Sequence, residues 1–209
     1  MLSSRSRVLA PVAALVFGAI VGMLGPLLLS VDGPVAHVGN LVLAAGWAWA
    51  AMAFFVGLGR KSRIESAILA PASLVAGVIA YYVVEAVQGK FRMSDLRFPG
   101  GVTKFDWNGF ISMMGVWSLA ACVFGPLLGL AGNLARNRGL RGLPYRLVIP
   151  LVAIVDTSIR LHSDAPLEGA TSTATWSVIR LLAVAAIIVL VGHATITGWF
   201  RSSTRQSRG

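Results

Sequence analysis

Apolar residues run almost unbroken for the length of a bilayer crossing several times along this chain, and polar clusters fall between the runs. A half-buried strand would alternate with period two, and a soluble helix would show one apolar stripe. Here both sides of each run are apolar, the pattern of helices that meet lipid on one side and other helices on the other. Spans are predicted at about residues 8–29, 39–58, 64–88, 108–134, 145–162 and 175–200. The expected fold class is all-α: a polytopic transmembrane bundle of six helices, with residues 1–209 forming a single integral membrane domain. The first run, Val8 to Leu29, is 22 residues long, more than the apolar region of a signal peptide needs, and reads as an uncleaved span.

Composition agrees with the pattern. Hydrophobic residues make up 56% of the chain, charged ones 12%, and mean hydropathy is +0.76, which excludes an ordinary soluble domain. The net charge of +10 would suit nucleic acid, but the basic residues cluster beside the apolar runs, where orientation in a membrane explains them. With six spans and the N-terminus inside, twelve Lys and Arg residues lie on the cytoplasmic side and four in the long outer loop. Both termini are therefore expected in the cytosol, in a multi-pass membrane protein whose first partner is the lipid bilayer. Nucleic acid is not expected to bind.

Two helices carry small residues every fourth position: Ala10, Ala14, Gly18 and Gly22 on the first span, and Ala121, Gly125 and Gly129 on the fourth. Such strips let helix backbones approach closely. Trp47 and Trp49 lie too deep for the headgroup belt and read as core packing or as the wall of a pocket. The loop from Gly89 to Trp107, with its Pro-Gly-Gly turn, reads as a short hairpin or interfacial flap.

Chemistry is scarce. No GxSxG, HExxH, Walker A or GxGxxG motif is present, so no catalytic residue, metal or cofactor is assigned and an enzyme is not expected. The lone Cys122 excludes an intrachain disulfide and is expected to pack as a small hydrophobe. The informative feature is Asp156 and Arg160 within the fifth apolar run, four residues apart and hence on one helix face. Ionisable groups at membrane depth are costly and mark a bundle interior or a wet cavity. Glu85 and Arg180 fall at similar depth. The four are taken as a candidate substrate-binding cluster, Arg160 and Arg180 holding a small anionic solute and Asp156 orienting Arg160 or exchanging a proton. For Glu85 the competing expectation is a solvated helix end. His193 lies nearer the other surface and is left out.

At residues 46–59 (GWAWAAMAFFVGLG), 80–85 (AYYVVE) and 124–132 (FGPLLGLAG) the chain resembles small six-span membrane proteins of high-GC bacteria that form an uncharacterised family of unknown function. That resemblance implies a multi-pass cell-membrane protein and supplies no activity. The size, the six spans and the Ala10–Ala14 spacing are also similar to the substrate-binding subunits of energy-coupling-factor vitamin transporters, in which small residues of the first helix dock a partner. Two readings follow: solute binding or transport through an outward-facing polar pocket covered by the 89–107 loop, or a non-catalytic scaffold that packs on another membrane protein through the small-residue faces.

Overall fold

The computed structural model describes residues 4–94, 103–137 and 139–206. Its helices are α1 (Ser4–Leu29), α2 (Pro34–Leu43), α3 (Gly46–Leu58), α4 (Arg63–Val87), α5 (Trp107–Leu134), α6 (Leu143–Arg146), α7 (Val148–Ser163), α8 (Ala165–Glu168) and α9 (Ala170–Gln206). A short antiparallel hairpin, β1 (Arg92–Ser94) and β2 (Thr103–Phe105), joins α4 to α5 with Arg92 opposite Phe105. The loop therefore is a hairpin. Its tip, with Arg97 and the Pro-Gly-Gly turn, lies outside the described residues, as do Arg138 and Arg208.

Local chemistry sets the helix limits. Ser62 accepts the Glu65 N–H to start α4, and Asp106 accepts the Gly109 N–H to start α5. Pro34 opens α2 where its missing N–H costs nothing, directly after Gly33 at φ 134°. At the far end of α5, Arg146 donates from Nε to the Ala135 carbonyl and from Nη2 to that of Asn137, both at 2.9 Å. A guanidinium there satisfies carbonyls that a helix leaves open and complements the negative end of its dipole. Arg146→Ala should lower stability by about 1–2 kcal/mol, read as an earlier unfolding transition in detergent. Arg146→Lys, with no fork to span two carbonyls, should recover only part of it.

α4 is the central post. It lies between α1 and α5, and α3 packs against both α4 and α5. The small-residue strips are what allow this. A Cβ on Gly18 would lie 2.0 Å from the Ser73 carbonyl oxygen and one on Gly22 2.1 Å from that of Gly77. On α5, Gly125 meets Pro71 and Gly129 meets Ser66 and Ala70. Ala14 and Ala121 are buried in the same core with Met52, Ala53 and Leu74, whereas Ala10 is only half-buried. These contacts are with α3 and α4 of the same chain.

Among the described residues, four helical segments, Leu9–Leu29, Arg63–Val87, Trp107–Leu134 and Ala170–Ile196, are long and apolar enough to cross a membrane. The expected span over 39–58 is different: α2 and α3 are separate helices meeting at 62°, and they make a fifth crossing only if the bent pair counts as one. The expected span over 145–162 is in large part α7, whose 16 residues reach about 24 Å, short of the ~30 Å hydrocarbon core. Outward positions on these helices, such as Phe17, Leu119, Leu181 and Ile188, are exposed apolar side chains suited to lipid. Cys122 joins them and is exposed rather than packed inside.

Candidate functional site

The break between α2 and α3 has a chemical consequence. A helix that starts inside a bundle leaves its first N–H groups without partners. The residue before α3, Ala45, offers no side-chain cap. Asp156 of α7 fills that role: the Trp47 N–H donates to its Oδ2 at 3.5 Å, and a Cβ on Gly46 would sit 3.4 Å from its Oδ1. The carboxylate therefore lies at the positive end of the α3 dipole, a favourable place for a negative charge.

Arg160 is held from three sides. Its Nε donates to Asp156 Oδ1 at 3.4 Å, its Nη1 lies 3.6 Å from Asp164 Oδ2, and its Cζ stacks 4.9 Å from the centre of the Trp176 ring. Trp176 is fully buried among Leu41, Ala45, Trp47 and Ile179, so α9 and α2 fix the platform beneath the guanidinium.

Beside this pair is a cavity of about 750 Å³, within the size range of small-molecule sites. α3 contributes Trp49 and Ala50, α4 Leu74, Val78, Tyr81 and Tyr82, α5 Trp117, Ala121, Phe124 and Leu128, and α7 Val152, Asp156 and Arg160. Its walls are aliphatic and aromatic; Asp156 and Arg160 are the ionised groups among the described residues that line it. From Trp117 to Leu128 it follows α5 for about 16 Å. α5 and α7 pack on α3 and scarcely on each other, and Trp117, Phe124 and Leu127 are all more than half exposed. The cavity therefore opens sideways, along the seam between α5 and α7. It is an apolar slot with one charged end, not the polar pocket expected.

The four candidate residues separate accordingly. Asp156 and Arg160 come together and line the cavity. Glu85 is 3% exposed and forms an ion pair with Lys90, so it is neither a solvated helix end nor part of the lining. It adjoins the slot through Tyr81, whose hydroxyl faces the same carboxylate, and through Tyr82. Arg180 is exposed on α9, and the lining does not include it. Trp49 combines both roles foreseen for it, packing against the core of Ala14, Met52 and Leu74 and lining the slot, where it meets Tyr81 edge to face at 6.1 Å; its Nε1 also donates to the Leu43 carbonyl at 3.0 Å, bridging the helix break. Trp47 packs instead beside Trp176.

The hairpin sits against the Tyr82 end. Phe91 bridges Tyr82 to Phe105 and Phe110, with ring centres 5.4–6.2 Å apart. None of its described residues lines the slot. Sequence reasoning passed over Tyr82, Trp117 and Phe124. Trp117, Ala121, Phe124 and Leu128 follow a spacing of four, three and four, one stripe of α5, and that stripe was readable as a face. Nothing in it tells a cavity wall from a packed one.

Comparison with curated proteins and with solved structures found no match, so the likeness to energy-coupling-factor subunits gains no support. The profile of one family matches residues 1–192, and on that match this chain belongs to a family of unknown function, DUF6518.

Proposed function

We propose that this protein is a multi-pass protein of the bacterial inner membrane that binds a small amphiphile in the slot between α5 and α7. The apolar body would lie along Trp117, Phe124 and Leu128, with the polar head at Asp156 and Arg160. The observation that carries this reading is a ~750 Å³ cavity whose walls are apolar over most of their length and charged at one end, open on a side that faces hydrocarbon if α5 crosses the membrane.

Six crossings with both termini in the cytosol remain the favoured topology. The Lys and Arg distribution supports it. So does the near-continuity of α6 and α7: Leu147 between them keeps right-handed helical dihedrals, and residues 143–163 together reach about 31 Å, enough to cross. Binding, with no chemical step, is the activity proposed, and binding is a step any carrier shares. The scaffold reading loses its proposed surface, because Gly18, Gly22, Gly125 and Gly129 already hold α1 and α5 against α4.

Filling the slot tests the reading. Ala120 lies on its α5 wall, and Ala120→Trp should occupy the space without opening the core. Equilibrium binding of radiolabelled dodecanol to the protein in phosphatidylcholine nanodiscs, corrected for empty discs, should fall at least about tenfold in the variant while the unfolding midpoint holds or rises. Equal binding by both proteins would overturn the reading.

A further inference from the structure

The polar end of the slot is not an anion site. An anion would need an unneutralised cation, and Arg160 already faces two carboxylates, Asp156 and Asp164, while its face rests on Trp176. A guanidinium so occupied has little attraction left for a third negative group. Arg180, the second cation expected to hold an anion, is not on the lining.

Counting charge gives the opposite sign. Two carboxylates against one guanidinium leave one negative charge, and the start of α3 offsets about half of it. Asp156 is also under-used as an acceptor. Its oxygens have about four lone-pair directions, and among the described residues they take two long contacts, 3.5 Å from Trp47 and 3.4 Å from Arg160. The side chain is 23% exposed, on the cavity side, so a ligand can reach it. Five aromatic rings, Trp49, Tyr81, Tyr82, Trp117 and Phe124, line the same slot among the described residues. Ring faces attract ammonium groups, and the attraction grows where water is excluded.

From these observations, and resting on the amphiphile reading above, we infer that the slot is selective for amphiphiles with a positively charged head, that is, lipophilic amines or quaternary ammonium compounds. Asp156 receives the head, the aromatic rings surround it, and Arg160 remains paired to Asp164 when Asp156 turns to the ligand. Neutral molecules of the same length bind mainly through the apolar wall. Anionic ones meet Asp156 and Asp164.

The test compares three probes with one chain length, dodecyltrimethylammonium, dodecanol and dodecanesulfonate, in phosphatidylcholine nanodiscs, each corrected for partition into empty discs. The ammonium probe should bind about tenfold more tightly than dodecanol, and the sulfonate more weakly than either. Asp156→Asn keeps an oxygen for the Trp47 N–H and should bring the ammonium probe to within about threefold of dodecanol, and an unfolding midpoint that stays close to the parent protein's shows that the fold has survived. Asp164→Asn, outside the lining, should reduce the ammonium preference through charge alone.

Equal binding of the three probes, tightest binding of the sulfonate, or an ammonium preference untouched by Asp156→Asn would each overturn the inference while leaving amphiphile binding intact. Failure of all three probes to bind above the empty-disc level would overturn both.

Discussion

Lys90→Met is expected to destabilise the protein by about 3 kcal/mol. The reason is the asymmetry of the pair: Glu85 is 3% exposed and Lys90 59%. Removing the ammonium leaves a carboxylate at the bundle's edge without its counter-charge, which costs far more than an exposed pair is worth. The figure sits at the low end for such a break, because the Tyr81 hydroxyl stays beside Glu85. The Lys90 backbone N–H also donates to the Glu85 carbonyl at 3.0 Å, so the turn that ends α4 is tied twice. A double-mutant cycle separates these contributions. Glu85→Gln with Lys90→Met should recover most of the stability lost in Lys90→Met alone, read from unfolding in mixed micelles. Equal losses in the single and double variants would show that the ion pair contributes nothing.

Gly57→Val is the second large effect, at or above the upper end of the 1–3 kcal/mol typical of overpacking. A Cβ at Gly57 would lie 2.0 Å from the Gly129 carbonyl oxygen, and both partners are backbone, which cannot swing aside as a long side chain can. The only relief is to separate α3 from α5. That movement would also widen the slot and shift the start of α3 away from Asp156. Gly115→Val is the matched control on α5, with nothing within 4 Å of its Cβ position, and should stay within about 0.5 kcal/mol of the parent protein. Comparable losses in the two variants would mean that glycine is needed for something other than close approach.

Much of the fold could be read from the residues, for identifiable reasons. Long apolar runs on Leu9–Leu29 or Trp107–Leu134 leave few alternatives to a membrane helix. Small residues every four positions face one way on any helix, so Gly18, Gly22, Gly125 and Gly129 could be assigned to a packing face before their partners were known. The pairing of Asp156 with Arg160 followed in the same way, because i,i+4 geometry belongs to one helix.

What crosses between helices was not legible. Depth along a helix can be counted, but rotation about its axis relative to a neighbour cannot. Arg180 therefore looked like a partner of Arg160, whereas α9 presents Trp176 to Arg160 and Arg180 outward. Depth groups Glu85 with Asp156, Arg160 and Arg180, yet its partner is Lys90, five residues on and beyond the end of the helix at Val87. The break at Ala44–Ala45 left no mark on hydropathy, since alanine and leucine continue through it. It is stabilised by one group distant in sequence, the carboxylate of residue 156 on the new helix start, and by one close at hand, the Trp49 indole on the Leu43 carbonyl. An apolar slot between two helices is invisible for the same reason, because the stripe on α5 has the same composition whether a neighbour fills it or a ligand does.

The most direct test of the slot is photolabelling with a dodecylamine that carries an aliphatic diazirine near the chain end, in phosphatidylcholine nanodiscs, with adducts mapped by mass spectrometry. Adducts are expected within residues 117–128 of α5 and 152–160 of α7, saturable and removed by excess unlabelled dodecyltrimethylammonium. Adducts spread evenly over the outward faces of α1 and α9, with no competition, would contradict a binding slot and leave only the ordinary contact of helices with lipid.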